Sequence, residues 1–325
     1  MGLGLVAGCG RLPFPGQPPA PKVPTIGWLN QTSGDSPEEA TEPALAEQLD
    51  AFRQGLAALG HVDGQNVIVE PRYAQGEAGL REAAADLVRL PVDVVVTDGR
   101  APTLAAKAAT STIPIVFANG GDPVGTGLVA SLARPGGNVT GLANLVPELS
   151  GKRLELLAQV VPGLRRVAFL WGALSPASYV QEMQAATRTL GVQLQVLEIR
   201  DVADYEAAFA AAGVEQADAL MMGGNIHILN RARVISLAAR GRLPAMYTNS
   251  LAVHEGGLMA YGTNALDLRR RAAIYVDKIL KGTHPATLPV EQPTTFDFVI
   301  NLKTAQALGL TIPQHVLLQA TEVIQ

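Results

Sequence analysis

The stretch Ile113-Pro-Ile-Val-Phe-Ala-Asn-Gly-Gly-Asp122, which runs on through Pro123-Val-Gly-Thr-Gly-Leu-Val-Ala-Ser-Leu-Ala-Arg134 to Pro135-Gly-Gly-Asn-Val-Thr-Gly-Leu142, decides the fold. Its first six residues are an unbroken apolar run of strand length, β-branched at the start, that empties into a polar turn. This predicts a buried parallel strand. The pattern from Gly127 to Arg134 predicts a short helix, Arg134-Pro-Gly-Gly-Asn138 a break, and Val139 to Leu142 a second short strand. In an open parallel sheet, ligands sit beyond the carboxyl ends of the strands, so Asn119 to Asp122 is expected at a small-molecule crevice.

Upstream, the same alternation begins at Thr25. Thr25-Ile-Gly-Trp-Leu29 reads as a strand, and the polar loop Asn30 to Glu42 leads into a helix with Leu45, Leu49, Phe52, Leu56 and Leu59 on one face. Asn66 to Glu70 is a strand, Leu80 to Leu90 a helix, Val92 to Val96 a strand, and Thr97-Asp-Gly-Arg100 turns into a helix over Pro102 to Thr110. Downstream, Ser150 opens a long helix ended by Pro162-Gly163, after which the grammar starts again. Strands are predicted at Val167 to Trp171, Gln193 to Leu197, Ala219 to Met222, Pro244 to Tyr247 and Gly257 to Tyr261. Helices fall between them at Ser178 to Leu190, Tyr205 to Ala212, His227 to Arg240 and near Leu251. The second half is an echo of the first. Two α/β lobes in tandem are expected to face each other across a cleft, each offering backbone N–H groups and strand ends to one ligand.

The tail does more than finish the second lobe. Leu266 to Leu280 is an amphipathic helix, Pro285 to Pro293 is extended, Thr295 to Asn301 is a strand and Lys303 to Leu308 a helix stopped by Gly309. Extended segments near Leu142, Gly262 to Asn264 and Gln292 to Thr294 are expected to cross between the lobes as a three-segment hinge. The domain reading is therefore 25–142 plus 265–292 for one lobe and 143–264 plus 293–325 for the other.

Composition narrows the function. The 325 residues are 48% hydrophobic and 17% charged with a net charge of −4, and no basic block offers nucleic acid a footprint. Five scattered histidines and one cysteine provide neither metal-ligand spacing nor a disulfide, so no metal and no cofactor are expected. That cysteine has a telling context. Leu5-Val-Ala-Gly-Cys9 resembles the lipobox of bacterial lipoproteins, although Met1 to Gly8 is too short for a full signal peptide, which reads as a truncated start or as chance. Gly10 to Pro24 is proline-rich and reads as a semi-rigid tether, or as an ordinary unstructured N-terminus. Residues 1–24 are thus read as truncated signal, lipobox with Cys9 lipidated, and tether.

Several long blocks carry a family resemblance. They are Ala51 to Gly60 (AFRQGLAALG), Lys107 to Phe117, Gly121 to Gly141, Glu148 to Leu157 (ELSGKRLELL), Arg270 to Gly282 (RRAAIYVDKILKG), Leu288 to Phe296, Val299 to Ala305 and Leu308 to Pro313. In this order they resemble the ABC-transporter substrate-binding family that includes tryptophan and tyrosine uptake receptors, with the type I periplasmic-binding-protein fold. The resemblance implies an exported, bacterial receptor, periplasmic or lipid-anchored, that hands a small solute to a membrane permease served by a separate ATPase chain. Where that family has small or hydroxyl residues after the third strand this chain has Asp98 and Arg100, and after Leu220-Met-Met222 it has Gly223-Gly-Asn225. Both loops are expected at the cleft, where they would shift specificity away from aromatic amino acids.

Candidate ligand residues follow from position at strand ends. Asp122 would pair with a ligand ammonium, or merely shape its loop as an Asx turn. Arg100 would clamp a carboxylate, or lie solvated at the surface. Asn30, Gln31 and Thr32 follow the first strand, Asn119 the fourth, Ser175 and Ser178 the strand ending at Trp171, and Asn225 the strand ending at Met222; all are also common turn and cap residues. Tyr247 and Tyr261 would stack on a planar ligand, or serve as core. Trp28 and Trp171, read as ending equivalent strands, would sandwich a ring, with core packing the plainer reading.

No phosphate loop, dinucleotide fingerprint, nucleophile elbow or Cys/His pair is present, so catalysis has no visible machinery. The sequence therefore reads as a monomeric, non-enzymatic α/β receptor of two doubly wound lobes. It would close by hinge motion on a small polar solute, an amino acid foremost and an aromatic one among the options. Its membrane link would be an N-terminal lipid alone. A ligand-sensing domain of a signalling system is the alternative.

Overall fold

The computed structural model describes residues 22–32, 43–144, 149–172, 175, 177–223 and 230–325. The first unit alternates β1 (Thr25–Gln31), α1 (Pro43–Ala58), β2 (Ile68–Ala74), α2 (Gly76–Arg89), β3 (Val94–Thr97), α3 (Arg100–Ala109), β4 (Ile115–Phe117) and β5 (Val139–Gly141). Its strands are all parallel, in the order β2-β1-β3-β4-β5.

The second unit follows with α4 (Ser150–Val160), β6 (Arg166–Gly172), α5 (Ser178–Leu190), β7 (Gln193–Ile199), α6 (Asp204–Val214), β8 (Ala219–Gly223), α7 (Arg231–Arg240), β9 (Ala245–Tyr247), α8 (Leu251–His254) and β10 (Met259–Thr263). Reading its sheet as β7-β6-β8-β9-β10 repeats the order of the first. The sequence echo is thus a topological repeat, and each sheet reverses strand order at one point, between β1 and β3 and between β6 and β8.

The tail adds α9 (Ala265–Leu280), a 3-10 turn at Pro285–Thr287, β11 (Phe296–Asn301), α10 (Leu302–Leu308), α11 (Gln314–Leu317) and β12 (Glu322–Ile324). β11 runs antiparallel to β10, and β12 pairs parallel to β11. α9 instead belongs with the first sheet: Leu268, Ala272, Tyr275 and Val276 share a core with Trp28, Phe52 and Leu56. Trp28 and Phe52 stack at 5.2 Å and 29°, a contact worth about 0.5–1.5 kcal/mol beyond the area it buries. α9 lies so close to α1 that a side chain at Gly55 would land on the Arg270 carbonyl.

Each sheet is covered on both faces. Along β6, Val167 and Phe169 enter one core while Ala168 and Leu170 enter the other, the period-2 alternation of a sheet sandwiched by helices.

One expected element does not form. Residues 127–134 are turns and bends, not a helix. Gly127 has φ +71, the Val129 amide donates six residues back to Pro123 O, and the Lys107 ammonium holds the Gly127 and Leu128 carbonyls at 2.8 and 3.0 Å. These bonds take the carbonyls that a helix would have used, while Leu128 and Val129 still reach the core.

The chain passes between the sheets three times, and the passages are tied to one another. Leu142 bridges Glu291, with Ala143 N donating to Glu291 O at 2.8 Å. Thr263 Oγ1 donates to Asn144 Oδ1 at 2.9 Å. Asn264 donates to Asp297 Oδ1 at 3.3 Å while its own Oδ1 caps α9 through the Asp267 amide.

Candidate functional site

The carboxyl ends of β1, β3 and β4 form one edge of the first sheet. Asp98 N donates to Leu29 O and Ala118 N to Thr97 O, so Asn30, Asp98 and Asn119 stand on neighbouring strand ends. The structure brings these candidates together, and most are engaged within the protein. Asn30 is buried, its amide donating to Gln48 Oε1 of α1 at 2.7 Å and its Oδ1 accepting from the Gln31 amide. Gln31 closes β1 opposite Ala74, and Thr32 is buried with its amide on Ala74 O.

Asp98 makes the strongest contact of the edge. Its Oδ2 accepts from both Nε and Nη2 of Arg269 at 2.6 Å, with the two side chains 5% and 7% exposed. The pair anchors the start of α9 at the switch point of the first sheet. Arg100 opens α3 as an exposed residue. Asn119 is half-buried, and Asp122 shapes its own loop, its Oδ1 accepting from the Gly125 amide three residues on at 2.8 Å.

At the second sheet the edge is different in kind. Ser175 is half-buried with its amide on Gly172 O, and Ser178 is the first residue of α5. Trp171 is half-buried beside the core beneath α4 and α5. Strand register corrects the expected equivalence of the tryptophans. Ile26 pairs Val94 and Val167 pairs Ala219, so Trp171 stands where the first lobe has Asn30, while Trp28 lies deeper, fully buried. Tyr247 is likewise fully buried in the core on the other face, which pushes its phenol pKa up. Tyr261 is half-buried on the same face as Trp171 and stacks on Phe296 at 5.8 Å. Asn225 and Cys9 lie outside the described residues.

Two residues without a strand-end position complete the edge. Arg153 of α4 is fully buried and donates from Nε to Tyr261 O, at the middle of β10, at 2.6 Å. Burial lowers its pKa to about 10, against the opposing influence of Tyr179 and Tyr261, so it stays a cation at neutral pH. Arg269 carries a legible signal: at three and seven residues before Ala272 and Val276, it falls on the apolar face of its helix. An arginine there needs a buried carboxylate, and Asp98 is it.

Among the described residues no group of His, Cys, Asp and Glu is arranged to hold a metal ion. No helix among them is long and apolar enough to cross a membrane.

Residues 40–324 match the family described as ABC transporter substrate binding protein. A tyrosine-binding protein of Clostridioides difficile is 25% identical over 272 residues, 82% of this chain and 78% of the relative. Two crystal structures superpose with a TM-score of 0.83, each covering 93% of this chain and 100% of the other. They are an ABC domain in complex with L-tryptophan from Streptococcus pneumonia, 26% identical, and a conserved domain protein of Vibrio cholerae, 27% identical.

Proposed function

The chain belongs to the family of ABC transporter substrate binding proteins, and we propose that it is an amino-acid receptor that closes its two lobes on the ligand and delivers it to a permease served by a separate ATPase. Receptors of this family act outside the cytoplasm. The observation that carries the reading is the set of three crossings, bonded to one another by the Leu142 to Glu291 bridge, Thr263 to Asn144 and Asn264 to Asp297. Two sheets that repeat one strand order and are joined near their carboxyl edges can rotate about such a waist without opening either core.

The lobes in this reading are 25–142 plus 265–292 and 143–264 plus 293–325. The packing of α9 on α1 and the pairing of β11 with β10 support that division. An aromatic amino acid is the first ligand to test, because relatives bind tyrosine and L-tryptophan. The Asp98–Arg269 pair and the Asp122 bond to the Gly125 amide supply shape to the first lobe's edge, and Asn119 and Arg100 are its contacts to the ligand. The receptor acts as a monomer, without catalysis, and Cys9 carries a lipid anchor in the mature protein.

The test is thermal unfolding against a panel of amino acids, organic acids, sugars and nucleosides. A ligand at about a hundred times its dissociation constant stabilises the folded state by about 2.7 kcal/mol. A shift with L-tryptophan, L-tyrosine or L-leucine supports the reading; a shift with sugars or nucleosides alone rejects the amino-acid class.

A further inference from the structure

The two switch points differ in what they leave unsatisfied at the strand ends; the Trp28 indole Nε1 of β1 also lacks a partner among the described residues, but it lies two residues deeper, in the core. At the first, Asn30 bonds Gln48 and the Gln31 amide, Asp98 bonds Arg269, and Thr97 Oγ1 lies 2.8 Å from Thr103 Oγ1, which in turn donates to Gly99 O. At the second, two buried donors have no hydrogen-bond partner among the described residues: the Trp171 indole Nε1 and the Ser178 hydroxyl. A buried donor left unpaired is costly, and such groups in a folded protein call for an explanation. One donor lies near the end of β6 and the other at the start of α5, and Trp171 occupies the position that Asn30 fills, fully bonded, in the first lobe.

The surrounding charge indicates what would pair with them. Arg153 places a buried cation on the same face of this sheet, with Tyr179, which follows Ser178 directly, among the groups acting on it. Two neutral donors and a cation on one face favour an anion. We propose that Trp171 and Ser178 receive the carboxylate of the bound solute, so that the second lobe holds its anionic end and the first lobe meets the remainder. This rests on the receptor reading above.

The experiment uses the full chain as wild type, Ser178→Ala, Ser178→Thr and Trp171→Phe, titrated with L-tryptophan and L-tyrosine and with tryptamine and tyramine, which lack the carboxylate. Ser178→Ala and Trp171→Phe should each weaken binding of the amino acids by about tenfold or more, the size of one charge-assisted hydrogen bond. Ser178→Thr should retain most of the affinity, and binding of the amines should be insensitive to Ser178→Ala. Equal losses for tryptophan and tryptamine, or full affinity in both variants, would overturn the assignment while leaving the receptor reading intact.

Unfolding in the absence of ligand tests the assignment independently. Removing an unpartnered hydroxyl should leave the midpoint of Ser178→Ala unchanged or higher, whereas a loss of several degrees would show the hydroxyl engaged inside the protein and overturn the proposal. If no amino acid binds the wild type, the amino-acid reading fails, and this midpoint still decides between a reserved donor and a structural one.

Discussion

Replacing Asp98 with alanine separates a structural carboxylate from a ligand-binding one. The residue stands on a strand end where a ligand group is expected, yet its oxygen faces the Arg269 guanidinium through two contacts of 2.6 Å. Removal of one partner leaves Arg269, 7% exposed, as a buried charge without its carboxylate. Breaking such a pair costs about 3–5 kcal/mol. At about 2–4 °C per kcal/mol for a unit of this size, the unfolding midpoint should fall by about 10 °C. The double variant Asp98→Ala with Arg269→Met should regain most of that loss, because an apolar replacement of both partners is often close to neutral. The assay is calorimetric or urea-induced unfolding of the two single variants and the double, with ligand affinity measured in parallel. A midpoint within about 2 °C of wild type in Asp98→Ala, together with a large loss of affinity, would refute the structural assignment.

Gly55→Ala should destabilise by more than the about 1–3 kcal/mol usual for overpacking, because the obstacle is the Arg270 backbone and not a side chain that can turn aside; urea unfolding reads it. Thr263→Val, which removes the donor to Asn144, should cost about 1 kcal/mol and alter the radius of gyration of the unliganded protein by small-angle scattering, and no change in either would deny the contact a part in the hinge. Two carboxylates should show opposite pH dependence. Burial acts to raise Asp277, but hydrogen bonds from Lys281 and His61 prevail and its pKa is lowered below 3.8; its stabilising effect is present above that value and is lost as pH falls through the folded-state pKa. Asp277→Asn should therefore weaken the fold at neutral pH and approach wild type on acidification. Burial raises Asp297 above 3.8, with Glu322 and Asp267 acting in the same sense, so its ionised form is disfavoured in the fold. Asp297→Asn should be the more stable protein at neutral pH, with the difference vanishing as pH falls to about 3.8; a difference that grows on acidification would reverse that sign.

Periodicity makes the repeated α/β plan legible, because a strand covered on both faces and a helix covered on one leave different apolar spacings. Ser178 to Leu190 is readable to the residue: the helix ends at Gly191, whose φ of +67 suits a glycine beyond the last turn. Residues 127–134 are not, since their apolar spacing mimics a helix while Lys107, twenty residues away in sequence, takes the carbonyls. The candidate site is legible as a set of strand ends and no further. Whether Asp98 or Asn30 is available to a ligand depends on Arg269 and Gln48, partners that local sequence does not disclose. Trp28 and Trp171 fall near the ends of similar strands, and only the register with β3 and β8 places one in the core and the other at the edge.

The return of α9 to the first sheet bears on how the chain is made. Phe52, Leu56 and Trp28 are covered by Leu268, Ala272 and Val276, which follow the whole of the first sheet by more than a hundred residues. During synthesis the first lobe therefore waits, with an apolar face uncovered, until the ribosome has released α9. The second sheet waits longer still, because Phe298, Ile300, Ala305, Ile312 and Val316 of the tail belong to one of its cores. That delay leaves apolar surface of both sheets uncovered until the chain is nearly complete.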